Sequence, residues 1–271
     1  MTHPIPAPTH PVCTLFKGSQ PLLLSLPHVG TALPDWLKPR LTERALGTED
    51  ADWHLERLYD FVKASGASVL VPHYARYVVD LNRPPENTPM YPGVNNTELC
   101  PTRHFTGDPL YRDGQTPDAA EVQQRVQHYW RPYHDTLQAE LARIRAAHGH
   151  AVLFDGHSIL GELPWLFEGR LWDLNLGTVN GSSCAPALRE ALGRVLAAQD
   201  RYSHVTDGRF KGGHITRHYG CPGDGVHAVQ LEMSFGCYMD EATPWGYRPE
   251  RAAQVQPVLL ALVQAMLDFR P

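Results

Sequence analysis

The sequence predicts an α/β fold in which a central sheet is covered by helices on both faces. Three observations lead there. Short apolar runs bounded by Pro, Gly or Asp alternate with longer amphipathic stretches; most of those short runs are apolar on consecutive residues rather than every second one; and no polar linker, repeat or low-complexity stretch divides the chain. A strand that is apolar throughout is buried on both faces, which requires helices above and below the sheet. One domain spanning residues 1–271 is therefore expected. The expected strands are Leu22–Leu26, Ser68–Val71, Tyr77–Val79, Ala151–Phe154 and Val226–Met233.

The helices follow from spacing. Asp52 to Ser65 carries Trp53, Leu55, Leu58, Phe61 and Val62 at helical intervals and stops at Gly66. Ala119 to His148 puts Val122, Val126, Tyr129, Tyr133, Leu137, Leu141 and Ile144 on one face, with Pro132 predicting a kink. A third helix covers Pro186 to Ala198, and a fourth closes the chain with Val255, Leu259, Leu262, Val263, Met266 and Leu267 inward. Pro84 to Gln115 is a long irregular stretch, which in a compact domain reads as a lid or a substrate wall.

Composition narrows the function. The 271 residues carry 24 Lys+Arg against 29 Asp+Glu, a formal charge of -5, and no basic cluster, which argues against nucleic acid as a partner. With 42% apolar residues the chain can bury a sizeable core, which excludes disorder. No apolar run approaches the roughly 20 residues that span a bilayer, and Met1 to Pro11 is rich in proline and histidine with no apolar segment, so a cytoplasmic protein is expected. Five scattered cysteines fit neither a disulfide framework nor a thiolate metal site and are expected as mostly buried thiols. Fifteen histidines lean towards a metalloenzyme.

Two of those histidines share a context. His28 follows an apolar strand in Leu26-Pro27-His28-Val29-Gly30, and His157 does so in Phe154-Asp155-Gly156-His157-Ser158. Sites in such sheets gather at the carboxyl ends of strands, and two neutral imidazoles converging there would suit zinc. A structural, hydrogen-bonded histidine is the plain alternative. A third ligand is expected from Asp50 or Asp52, both also placed to cap a helix start. Zinc-assisted hydrolysis further needs a base, and Glu232, enclosed by apolar residues in Val229-Gln230-Leu231-Glu232-Met233, is the candidate. Pairing with an arginine is its alternative explanation.

Cations then suggest an anionic substrate. Arg76 and Arg83 flank Tyr77-Val78-Val79-Asp80-Leu81-Asn82, and Gly208 to Gly220 packs Arg209, Lys211, Arg217 and the potential cations His214 and His218 among four glycines, an expected anion-binding loop. H-E-x-x-H, G-x-S-x-G, G-x-G-x-x-G and the P-loop pattern are absent from the sequence.

Taken together, these segments resemble the N-formylglutamate amidohydrolases. The resemblance rests on Ser25-Leu26-Pro27-His28-Val29-Gly30-Thr31, Asp50-Ala51-Asp52-Trp53-His54-Leu55-Glu56-Arg57-Leu58-Tyr59, Arg76 to Pro84, Asp155-Gly156-His157-Ser158, Asn175-Leu176-Gly177-Thr178, Phe210-Lys211-Gly212-Gly213 with Thr216-Arg217-His218-Tyr219-Gly220, and Gln230-Leu231-Glu232. It implies a three-layer α/β/α sandwich with a central mixed sheet, similar to the zinc carboxypeptidases, and a zinc-dependent cytoplasmic enzyme of histidine degradation that cleaves N-formyl-L-glutamate into formate and L-glutamate. It also implies roles: His28, Asp50 and His157 as metal ligands, with Asp50 favoured over Asp52; Glu232 as catalytic base, helped by Arg76; and Asn82-Arg83 on one substrate carboxylate with Arg217 and Lys211 or Thr216 on the other. The first ligand segment departs from the carboxypeptidase H-x-x-E, since His28 is followed by Val29-Gly30-Thr31. The remaining alternatives are a related zinc amidohydrolase with another N-acyl amino acid, and a non-catalytic binding protein for acidic amino acids.

Overall fold

The structure, a computed structural model, describes residues 5–89 and 95–271. Among these residues seven strands form one mixed sheet: β1 (Cys13–Phe16), β2 (Leu22–Ser25), β3 (Ser68–Pro72), β4 (Ala151–Ile159), β5 (Leu174–Gly177), β6 (His204–Thr206) and β7 (Val226–Ser234). Their spatial order is β1-β3-β2-β4-β7-β5-β6. The central strands β3, β2, β4 and β7 are parallel, β1 and β5 pair antiparallel with β3 and β7, and β6 runs parallel to β5. Flanking helices are α1 (Leu55–Leu58), α2 (Phe61–Ala64), α3 (Ala119–Arg125), α4 (Arg131–His148), α5 (Pro186–Ala197), α6 (His214–Tyr219) and α7 (Pro249–Asp268).

Strand alternation divides the core into two. Leu22 and Leu24 of β2, Val152 and Phe154 of β4, and Val229, Leu231 and Met233 of β7 pack with Leu188, Leu192 and Leu196 of α5 and the inner face of α7. Leu23, Leu70, Ala151, Leu153 and Ala228 face the opposite way, onto Tyr133, Leu137, Leu141 and Ile144 of α4. The result is the expected three-layer α/β/α arrangement. None of the described helices is long and apolar enough to cross a membrane. All five cysteines are free, three of them buried.

Several elements differ from the sequence expectation. Tyr77–Val79 is a buried turn, not a strand. Its continuous apolar character reflects burial against the α4 side of the sheet, a signal that burial and strand share. Strands β1, β5 and β6 escaped notice because β1 is a half-exposed edge and the other two are only four and three residues long. Asp52–Ser65 is two separate turns of helix, α1 and α2. The predicted kink in 119–148 is a turn of π-helix, Val126–Trp130, between α3 and α4. Pro132 is the second residue of α4, in backbone that is helical on both sides, so the missing proline N–H falls at the junction where the helix changes its hydrogen-bonding pitch.

One buried histidine of α4 ties this layer to the segment that carries the site. The His134 Nε2–H donates to the carbonyl of Leu81 (2.9 Å), and the Tyr219 hydroxyl donates to Nδ1 (2.9 Å), so the neutral ring is satisfied on both nitrogens. Burial, with His214 and His218 nearby, pushes its pKa down from the ordinary 6.5 to about 3. A folded pKa below the unfolded one means the unfolded chain binds the proton first. The stabilisation is then complete above about pH 6.5 and is lost as pH falls towards 3. Between about pH 7 and about pH 5.5 this single group should remove about 1 kcal/mol of unfolding free energy. Denaturant melts at both pH values should show a shallower pH dependence in His134→Gln than in the wild type; equal dependences would refute the assignment.

Candidate metal centre and active-site cavity

The sheet face that is apolar near its middle turns polar towards the carboxyl ends of the parallel strands. Beyond Leu23, Leu153 and Ala228, the same face carries Ser25 of β2, Asp155 and His157 of β4, and Gln230 and Glu232 of β7. The register sets Ser25 beside Asp155, Asp155 beside Gln230, and His157 beside Glu232. Strand β4 continues to Ile159, so His157 lies inside the strand and not beyond its end as the sequence suggested. His28 does lie beyond its strand, three residues after β2, in a turn where a Cβ on Gly30 would come within 2.3 Å of the Tyr74 carbonyl oxygen.

The two histidines meet. Their Nδ1 atoms are 3.2 Å apart, and Asp52 Oδ2 lies 3.5 Å from His157 Nδ1 and 4.0 Å from His28 Nδ1. All three side chains are buried, and their candidate ligand atoms lie within 4.8 Å of one another. The opposite ring nitrogens are occupied by carboxylates: His28 Nε2–H donates to Asp80 Oδ1 (2.8 Å) and His157 Nε2–H to Asp155 Oδ2 (2.9 Å). With each Nε2 protonated, the two Nδ1 lone pairs face each other beside a carboxylate oxygen, with an Arg76 guanidinium nitrogen 3.3 Å from the Nδ1 of His28. Such a donor set is reconciled by a cation, and buried carboxylates behind ligating histidines are the usual outer support of a metal centre. Asp52 is fixed by its backbone N–H donating to the His28 carbonyl (2.9 Å) and by Ser158 N–H donating to its Oδ2 (3.1 Å).

Asp50, the favoured acidic ligand from the sequence, is placed elsewhere. Its Oδ2 accepts from the Tyr77 hydroxyl (3.0 Å) and from Phe105 N–H (3.2 Å), on the side of His104. Two residues apart at an irregular chain entry, the two aspartates point to different partners, and Asp52 is the one that reaches the histidines. The structure places Asp52, and not Asp50, in the group with the two histidines that could hold a metal.

The charged neighbours act on one another. Burial and Arg76 push the His28 pKa down, whereas His157 rises well above the ordinary imidazole value despite its burial, because Asp155 and Asp52 face it. Glu232 is buried and is pushed up to about 8, first by desolvation, with the attraction of His157 opposing and the repulsion of Asp52 adding. Asp80 is held well below the carboxylate range, its own burial outweighed by Arg76 and His28. Arg76 completes this knot through its bond to Asp80 Oδ2 and its stack on Phe105, 4.5 Å from the ring centroid.

His28, Asp52, Arg76, His157 and Glu232 form the floor of a cavity whose empty space, counted with the open solvent at its mouth, is about 620 Å3. Asn95, Asn96, Thr97 and Phe105 line it, so the long 84–115 stretch does supply a wall, although part of it lies outside the described residues. Arg83 also lines it, its guanidinium held by Thr97 O, Thr97 Oγ1 and Asn82 O. Asn82 reaches the cavity, but its amide is committed: Oδ1 accepts from Ile215 N–H (2.8 Å) and Nδ2–H donates to Asp155 Oδ2 (3.4 Å). Lys211, Thr216 and Arg217 are not among the lining residues. Thr216 is buried, and Arg217 is exposed with Nε–H donating to Gly212 O. The expected loop is in part the short helix α6, which turns these side chains away; the cation it delivers to the cavity is Arg209.

Comparison with known proteins follows the geometry. The family model of N-formylglutamate amidohydrolase matches residues 20–239. The chain belongs to the N-formylglutamate amidohydrolase family. It is 48% identical to an N-formylglutamate deformylase of Pseudomonas putida (95% of this chain, 96% of the relative) and 50% identical to one of Pseudomonas aeruginosa (95% and 97%). The fold matches the crystal structure of an N-formylglutamate amidohydrolase from Ralstonia eutropha JMP134, with a TM-score of 0.78 at 24% identity, covering 94% of this chain and 98% of that one. A gene product of Agrobacterium tumefaciens shares the fold with a TM-score of 0.72 at 19% identity.

Besides the residues foreseen, the site holds Asp80 and Asp155, which accept from the far ring nitrogens of His28 and His157. Asp155 was legible, since it stands two residues before His157 and so shares its strand face. Asp80 was not, because no regular element relates it to His28.

Proposed function

We propose that this chain hydrolyses N-formyl-L-glutamate to formate and L-glutamate, the step that the sequence resemblance places last in histidine degradation, and that it does so with a zinc ion held by His28, Asp52 and His157. The observation that carries the reading is the buried convergence of two Nδ1 atoms and one carboxylate beside Glu232, at the floor of a cavity bordered by arginines. Membership of the family supports the substrate. An ion bound by these ligands supplies a Lewis acid for the formyl oxygen and makes water acidic enough to attack near neutral pH.

The chain's own groups perform the rest. Glu232 takes a proton from the attacking water as oxygen adds to the formyl carbon, then hands it to the amide nitrogen as the C–N bond breaks. Water is thereby divided between formate and the amino group of glutamate. A carboxyl with a pKa raised towards neutrality suits both halves of that transfer. Arg76, fixed by Asp80 and Phe105, presents its remaining N–H groups to the negative charge that develops on the formyl oxygen. Arg83 takes the α-carboxylate, and Asn82 acts behind it by donating to Asp155, the carboxylate that holds His157, and by holding the start of α6.

The test is formate release by the purified, zinc-loaded chain from N-formyl-L-glutamate, with N-acetyl- and N-succinyl-L-glutamate alongside. Turnover confined to the formyl compound is the expected result. Turnover only on another N-acyl compound would replace the substrate, and none at all would leave a binding protein.

A further inference from the structure

Two segments singled out in the sequence, Asn175 to Thr178 and Phe210 to Gly213, have no part in the chemistry described above, yet both close on Glu232. Asn175 and Gly177 of β5 are the register partners of Glu232 and Gln230 of β7. The Asn175 side-chain amide donates to the Glu232 carbonyl (3.1 Å), which fixes the backbone of that residue from the β5 side. Gly177 carries no side chain where the glycine-rich segment crosses it: a Cβ there would lie 2.8 Å from the Gly212 nitrogen. The segment therefore lies flat against the sheet, close enough for Gly213 N–H to donate to Gln230 Oε1 at 2.7 Å.

That bond decides which way the Gln230 amide faces. Its oxygen meets the Gly213 donor, so its nitrogen is turned towards Glu232, where Nε2–H donates to Oε2 at 3.4 Å. The opposite orientation would set the amide oxygen against a carboxylate oxygen and leave Gly213 N–H facing an NH2 group. Gln230 is buried and lines the cavity beside the base. On the strength of the functional reading above, we infer that Gln230 is the positioning residue for the general base: it occupies Oε2 of Glu232, so that Oε1 is the oxygen that takes the proton from the attacking water and returns it to the leaving nitrogen. An amide N–H is not acidic, so it orients the carboxylate through the whole cycle without exchanging the proton in transit. The glycine-rich segment then serves the reaction through an oriented backbone N–H.

The experiment measures kcat and KM on N-formyl-L-glutamate, and bound zinc, in the zinc-loaded wild type, Gln230→Met, Glu232→Gln and the double variant, each checked by thermal melting. Loss of one hydrogen bond to a charged group predicts a fall of about 10- to 100-fold in kcat for Gln230→Met, with KM within about 3-fold of the wild type and zinc unchanged. In the Glu232→Gln background the same substitution should change kcat by less than about 3-fold, because the group it positions is already gone. Gln230→Asn, one methylene shorter, cannot span Gly213 and Glu232 together and carries the same prediction should Gln230→Met fail to fold. An unchanged kcat, a loss carried by KM, a loss of zinc, or a full second loss in the double variant would overturn the inference while leaving the functional reading in place. A wild type that releases no formate, or Glu232→Gln with wild-type kcat, would overturn that reading and the inference with it.

Discussion

Replacing Glu232 by Gln lowers kcat for formate release by about 100- to 10,000-fold, the range that a positioned general base contributes, and leaves bound zinc unchanged. Glu232 is the paired neighbour of His157 across β4 and β7, yet it is not part of the three-residue group that could hold a metal. Its loss should therefore separate turnover from metal content. The direction of the stability change is a second readout. Burial and Asp52 already disfavour the charged carboxylate, as the pKa near 8 records, so a neutral isostere relieves a strain and the melting temperature should hold or rise. A variant that keeps wild-type turnover would remove Glu232 from the mechanism. One that loses both turnover and metal would show it to be a ligand.

The second large effect distinguishes the two aspartates. Asp52→Asn removes a charged oxygen that lies 3.5 Å from one Nδ1 and 4.0 Å from the other, and should cost the metal at least the 10- to 100-fold in affinity typical of losing an outer partner, with activity falling in parallel. Asp50→Ala should behave differently. It deprives Tyr77 and Phe105 N–H of a buried acceptor, a loss of about 1–3 kcal/mol in stability, and loosens the ring on which Arg76 rests, while metal stays bound. Metal content by elemental analysis, read with chemical denaturation, tells the two apart. Metal loss in Asp50→Ala with retention in Asp52→Asn would reverse the assignment.

Much of this was legible from local pattern. The parallel strands β2, β3 and β4 show as largely continuous apolar runs because both faces are covered, β7 shows as a run broken by His227, Gln230 and Glu232, and His28, His157 and Glu232 stand out where those runs end or accept a charge. What failed to show depends on chain direction outside regular elements. Asp50 and Asp52 are equivalent in the sequence, and only the backbone bond from Asp52 to the His28 carbonyl turns one of them inward. The glycine-rich segment displayed its cations correctly but not their facing. The turn at Gly212 and Gly213 is so tight that a Cβ on Gly213 would sit 2.3 Å from the Asn82 amide nitrogen, and beyond it α6 carries Thr216 and Arg217 away from the cavity that Arg209 enters. Tyr77–Val79 mimicked a strand because a buried turn needs the same apolar residues.

The central claim is that a metal held by His28, Asp52 and His157 is required for formate release, and one titration tests it most directly. The chain would be stripped with a chelator, shown metal-free, and assayed on N-formyl-L-glutamate while zinc is returned in measured amounts. The account predicts no turnover in the stripped protein and recovery that saturates at one zinc per chain, with Asp52→Asn failing to recover over the same range. Full turnover by the metal-free protein would contradict it.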